Sequence, residues 1–264
     1  KRVAENLQDL NQDIDVEFAM RYGNPSIRSG LENLKSRGVT DLLLLPMFPH
    51  YAQATTESSL KHAHHQLSKM KWEPNLLEMS HFETAEEFIA PLTESIRPHL
   101  SEDTHLLFSY HGLPISHVKR IDTSKSHCQT VDDCCTISCE GNSLCYGHHC
   151  YKTTMAVVER LGLTPDRWSL SYQSRVGPVK WLEPSTTQMV EALVKKGVKK
   201  LAIVAPAFLA DGLETLEELD IGIREEFMEH GGTELKVINC LNDDEQWIQG
   251  LEQLIAKEFQ QVVA

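Results

Sequence analysis

Thr40-Asp41-Leu42-Leu43-Leu44-Leu45-Pro46-Met47-Phe48 decides the fold. An unbroken apolar run that stops at a proline reads as a short strand buried on both faces. The run has an echo at Lys200-Leu201-Ala202-Ile203-Val204-Ala205-Pro206-Ala207-Phe208. Each copy is entered through a Gly-Val pair, Gly38-Val39 and Gly197-Val198, and left through Pro-x-Phe. Further upstream stand two more matching turns, Arg21-Tyr22-Gly23-Asn24-Pro25 and Arg175-Val176-Gly177-Pro178. Nine residues after each proline of Pro-x-Phe comes a threonine that opens a helical pattern, Thr55 and Thr215. Two related α/β halves are the economical explanation, one over 1–110 and one over 111–264.

Outward from these copies the pattern alternates. Strands are expected over 16–21, 41–47, 76–80, 105–110, 168–173, 200–206 and 235–239. Amphipathic helices are expected over 26–37, 58–71, 85–99, 152–161, 186–196, 213–229 and 244–262. Alternating βα units imply two Rossmann-like halves, each a parallel sheet flanked by helices. Ligands of such sheets sit beyond the carboxyl ends of the strands, where both Pro-x-Phe loops lie.

Composition narrows the function. The 264 residues carry a net charge of −13, which argues against a phosphate-binding basic face and hence against a nucleic-acid partner. The longest apolar run, 42–47, is far short of the ~20 residues that span a bilayer. The polar start at Lys1 shows no signal peptide, so a cytoplasmic protein is expected. Six of the seven cysteines lie within 128–150, which in a reducing compartment points to metal ligation rather than disulfides.

Three motifs carry candidate chemistry. Ser109-Tyr110-His111-Gly112-Leu113-Pro114 places His111 at a strand end, with an imidazole suited to proton abstraction near neutrality. Asp211-Gly212-Leu213-Glu214-Thr215-Leu216-Glu217-Glu218 opens a helix, with Glu214 and Glu218 on one face and Asp211 a turn earlier. Three carboxylates in line suit a divalent cation. Tyr172-Gln173-Ser174-Arg175-Val176-Gly177-Pro178 leads to Trp181 between prolines, an exposed indole able to stack on a flat ligand. Each motif alone has an ordinary explanation: a loop histidine, acidic residues favoured by a helix dipole, a packing tryptophan.

Together, and in this order, they resemble the ferrochelatase family. Met20-Arg21-Tyr22-Gly23-Asn24-Pro25, His111 in its motif, 172–178 with Trp181, and 206–220 carry the resemblance across nearly the whole chain. It implies a two-lobed chelatase fold with a tetrapyrrole in the cleft between halves, and a lyase that inserts Fe²⁺ into protoporphyrin IX. His111 resembles the histidine that takes pyrrole protons or meets the metal, and Glu214 the carboxylate opposite it. Asp211 and Glu218 resemble an acidic path for the metal. Arg21, Tyr22, Tyr51, Ser174 and Trp181 resemble porphyrin-lining residues. The chain reads as lacking the family's N-terminal portion, and Gly222 stands where the acidic ladder often continues. Coproporphyrin or cobalt as substrates, or a non-catalytic porphyrin-binding protein, are the rival readings. A porphyrin's poor solubility also admits peripheral membrane contact, though no docking face is marked.

The segment 128–150 reads C-x5-C-C-x3-C-x5-C-x4-C. It resembles an internal version of the [2Fe–2S] site that some ferrochelatases carry. Four of Cys128, Cys134, Cys135, Cys139, Cys145 and Cys150 suffice; the expected set is Cys128, Cys135, Cys145 and Cys150. A four-cysteine zinc site or free thiols are the competing readings. His148 and His149 are expected in a solvated loop, and His62, His64 and His65 on an exposed helix face.

Overall fold

A computed structural model describes residues 2–9 and 14–263. The chain divides into two compact units, Lys1–Phe82 with Asp243–Ala264, and Glu83–Asn242. The first contains α1 (Arg2–Asp9), α2 (Ile27–Ser36), β1 (Asp41–Leu44), a short π-helical turn (Gln53–Glu57), α3 (Ser58–Met70) and β2 (Asn75–Glu78). The second contains α4 (Glu86–Ile96), β3 (Thr104–His111), α5 (Ile115–Ile121), α6 (Tyr146–Leu161), β4 (Trp168–Gln173) and α7 (Thr186–Lys195). It continues with β5 (Lys200–Val204), a long π-helix (Glu214–Ile223), α8 (Arg224–Glu229) and β6 (Glu234–Val237). The chain then returns to the first unit through α9 (Glu245–Val263), which packs on α1 and β1.

All strand pairs are parallel: β1 with β2 in one unit, and the order β4-β3-β5-β6 in the other. This is the α/β class the alternation implies. β3 is central and buried along its length up to Tyr110, as a strand covered on both faces must be. Its partners place it in the second unit, so the division falls at Glu83 rather than near residue 110. Leu107, Leu201, Ile203, Val190, Leu193, Leu219 and Phe227 form that unit's core between the sheet and the helices α7 and α8. Leu31, Leu34, Leu42 and Leu67 do the same for β1, α2 and α3.

Three expectations are corrected. Residues 14–19 are irregular, with one parallel bridge between Met20 and Ser26, so the strand expected over 16–21 does not form; among the described residues β1 pairs only with β2. The helix expected over 213–229 begins as π-helix, a wide turn common at functional sites; the one expected over 58–71 is α3, with the π turn just ahead of it. α6 starts at Tyr146, not near 152, so His148, His149 and Cys150 are helical and buried. His64 and His65 are exposed and His62 half-buried, the helix face expected. Among the described residues no helix is long and apolar enough to cross a membrane.

Candidate functional site

The site of the second unit grows from a divergence of strands. β3 runs to His111, opposite Gln173 of β4, but its pairing with β5 stops at Phe108–Val204. Beyond Val204 the chain leaves the sheet through Pro206, so β3 and β4 run on past β5 at the carboxyl end, where α/β proteins bind ligands. The Phe208 ring meets His111 edge-on, with centroids 6.1 Å apart.

His111 is half-buried. Burial lowers its pKa, and the charges of Glu214 and Glu218 partly restore it. The imidazole is thus biased to its neutral, proton-accepting form, with two carboxylates ready to stabilise the proton it takes.

The three acidic residues are not alike. Asp211 is committed: its Oδ1 accepts from Thr215 Oγ1 (3.1 Å) and the Cys240 N–H (3.1 Å), and its Oδ2 from Asn242 Nδ2 (2.7 Å). Burial alone raises its pKa, but the hydrogen bonds from Asn242 and Cys240 outweigh that and hold it below the ordinary value. Glu218 is committed too, accepting from the Ser174 N–H (2.6 Å) and Ser174 Oγ (2.5 Å). Ser174 adopts a left-handed φ of 62°, which aims both donors at that carboxylate. The half-buried Glu214 carboxylate accepts no hydrogen bond among the described residues.

Trp181 is half-buried rather than exposed. It forms an antiparallel bridge with Pro114 and packs on Gly112. A Cβ at Gly112 would lie 2.7 Å from the Gln173 carbonyl oxygen and 3.4 Å from the indole, so glycine is required beside His111. The unit's exposed large apolar side chains include Val176, Val179, Leu213 and Leu216, on the same loops and the π-helix. Exposed apolar side chains on these loops suit a flat apolar ligand.

In the first unit the corresponding end carries Met20, Tyr22, Met47 and Phe48, all exposed. Arg21 lies 4.5 Å over the Tyr22 ring, and its Nε donates to Ser58 Oγ (3.0 Å) and the Ser58 carbonyl (3.2 Å). Tyr51 is buried, which raises its pKa, and its phenol interacts with Glu57.

The cysteine-rich insert is braced by polar side chains. Asp122 accepts from the N–H groups of Ser124, His127 and Cys128 and from Ser124 Oγ. Asn142 Nδ2 donates to the Ile137 carbonyl (2.7 Å), and His148 Nδ1 bonds the Cys135 carbonyl (2.7 Å). Cys128, Cys134, Cys135 and Cys145 interact with one another: a hydrogen bond from Cys135, then N–H groups at the start of α6, pull the Cys145 thiol down. Burial pushes Cys128 up to about 12. Cys139 is exposed. Cys150 is fully buried among Tyr110, Tyr146 and Tyr172, with a hydrogen bond to Tyr146. Tyr146 Oη in turn donates to the His111 carbonyl (2.9 Å), tying the insert to the site. Sequence reasoning missed Tyr146, Phe208 and Gln173; a backbone acceptor or a ring edge leaves no spacing signal.

The parallel α/β architecture is the chelatase fold. Solved chelatases share the fold: SirB from Bacillus subtilis with Fe³⁺ superposes with a TM-score of 0.64 over 97% of this chain and 87% of that chain, at 12% identity. A cobalt complex of the sirohydrochlorin chelatase SirB from Bacillus subtilis subspecies spizizenii gives 0.58, over 97% of this chain and 86% of that one, at 10% identity. The chain belongs to the ferrochelatase family, whose model matches residues 1–259. It is 41% identical to the ferrochelatase of Pseudomonas fluorescens over 241 residues, 90% of this chain and 71% of the relative. It is 39% identical to that of Bdellovibrio bacteriovorus over 260 residues, 97% of this chain and 76% of the relative.

Proposed function

We propose that the chain is a lyase that inserts Fe²⁺ into protoporphyrin IX to form haem. The family supports the reaction, and one observation carries its assignment to this site: the charge of Glu214, the uncommitted carboxylate, acts on His111, whose burial biases it neutral. A flat porphyrin holds its N–H groups in the ring plane, beyond reach of a base above it. Bending the macrocycle tilts a pyrrole and exposes N–H and lone pair, so part of the binding energy goes into distortion. His111 takes the pyrrole protons and can meet the metal; Glu214 carries metal or proton at the ring centre. Asp211, held ionised by its hydrogen-bond donors, and Glu218 supply the negative field that draws the cation in. Trp181 and Ser174 are the porphyrin-lining candidates of the second unit, and Arg21, Tyr22 and Tyr51 are those of the first.

The insert fits a [2Fe–2S] cluster on donor chemistry, since Cys128, Cys134, Cys135 and Cys145 form one mutually interacting thiol group. These four would hold it; Cys134 replaces Cys150 in the set because the Cys150 thiol is engaged with Tyr146. Such a cluster supplies one-electron redox chemistry and a cross-link across the insert. Stoichiometric zinc in a colourless protein would remove this reading.

The deciding experiment is anaerobic metalation of protoporphyrin, with coproporphyrin in parallel, followed by absorption. Haem formation at catalytic protein concentration is expected. Tight porphyrin binding without turnover, for both porphyrins, would leave a binding protein instead.

A further inference from the structure

We propose that Gln173 is a positioning residue for iron insertion, holding the start of the long π-helix so that Glu214 stays beside His111. The proposal rests on the role given to Glu214 above.

Gln173 is the last residue of β4 and is 3% exposed, so its side chain does not reach a bound porphyrin. In register it stands opposite His111. Both ends of its carboxamide are used. Oε1 accepts from Ser109 Oγ at 2.7 Å, and Nε2 donates to the backbone carbonyl of Glu214 at 2.8 Å. The Glu214 carbonyl only accepts, so the amide orientation is fixed by chemistry. Its own carbonyl accepts from the Gly112 N–H at 2.8 Å. One buried residue therefore touches the strand below His111, the loop after it and the first residue of the π-helix. Ser109 Oγ is itself bonded to Thr186 Oγ1, which bonds Ser171 Oγ, so the amide stands on a buried row of hydroxyls.

The π-helix needs such an anchor. Its i→i+5 bonding is rare and seldom extends beyond one turn, and here it runs for ten residues from Glu214 to Ile223. Ser174, the next residue, adds a second grip at Glu218. The first unit builds the same device without the chemistry. Gln173 follows Tyr172, the bridge partner of Ser185, and Arg21 follows Met20, the bridge partner of Ser26. Arg21 likewise donates into the chain leaving the short π turn, at Ser58.

The test is a cycle on the full chain with Gln173→Leu, Glu214→Gln and both. Readouts are anaerobic iron-insertion rate, porphyrin Kd from fluorescence quenching, and Tm. Gln173→Leu should lower kcat about ten- to hundredfold, the scale of small misplacements at a reacting centre, with porphyrin Kd within about twofold. In the Glu214→Gln background the same change should cost less than about twofold, because the residue it acts through is already gone. Gln173→Glu keeps the volume and replaces the donor; its rate relative to wild type should recover as pH falls and the buried carboxyl regains a proton to donate. If Gln173→Leu does not fold, Gln173→Glu and Ser109→Ala carry the test, the latter with a smaller loss of kcat at unchanged Kd. Equal fold losses in both backgrounds, or wild-type turnover in Gln173→Leu, would overturn the proposal. Wild-type turnover in Glu214→Gln alone would overturn the reading beneath it, and is seen separately.

Discussion

The two units make the same turn twice. α2 and α7 each start at a serine whose hydroxyl accepts the N–H three residues on, Ser26 and Ser185. Each ends on a glycine with positive φ, Gly38 and Gly197, and the valine after it bonds back to Leu34 or Leu193. After β1 and β5 each chain passes Pro-x-Phe into a π-helix, where Thr55 or Thr215 bonds the carbonyl three residues back. The chemistry is not repeated. Counted from Pro46 and Pro206, Tyr51, Ala54 and Ser58 stand where the second unit has Asp211, Glu214 and Glu218. The π segment is five residues in one copy and ten in the other. Scaffold hydrogen bonds are common property of the fold; the carboxylates at 211, 214 and 218 and the long π-helix belong to one copy.

The sharpest way to break this contrast is at its charged positions. His111→Ala and Glu214→Ala should each lower iron insertion by about a hundredfold or more while sparing porphyrin binding, whereas Ala54→Ser should stay within about twofold. Comparable losses at 54 and 214, in the metalation assay, would erase the distinction. The electrostatic part can be read without turnover. Burial lowers the His111 pKa and Glu214 raises it, so Glu214→Gln should move the imidazole titration to lower pH. An NMR titration of the metal-free protein gives the sign, and an upward shift would contradict the geometry.

Smaller effects test the shared scaffold. Thr215→Val loses bonds to Asp211 and Gly212 and should cost about 1–3 kcal/mol. Thr55→Val, with one long bond of 3.5 Å, should cost less, by denaturant midpoint. At the caps, Ser26→Ala and Ser185→Ala should each lose about 1 kcal/mol. Ser185 should lose the more, because Gln188 completes its capping box.

The duplication was legible because apolar runs, prolines and glycines mark it in one dimension. β4 was legible to the residue, 168–173, since a turn signal closes it on each side. The expected strand at 16–21 was not, because a strand exists only through a neighbour and the pattern of one segment does not show its partner. The π-helices were hidden since i→i+5 bonding leaves the residue types of an ordinary helix. His111 and the acidic run were visible as motifs. Which carboxylate is free was not, because that depends on Ser174, Asn242 and Cys240, far away in sequence. The insert showed its thiols but not that α6 reaches back to Tyr146, since the adjacent glycine and two histidines read as loop.

The glycine after His111 has an evolutionary meaning. Any side chain at 112 must push aside either the end of β4 or the Trp181 ring. A library randomised over 111–114 and selected for a new metal or macrocycle should therefore return glycine at 112 in every survivor. New specificities should then come from the loops facing it.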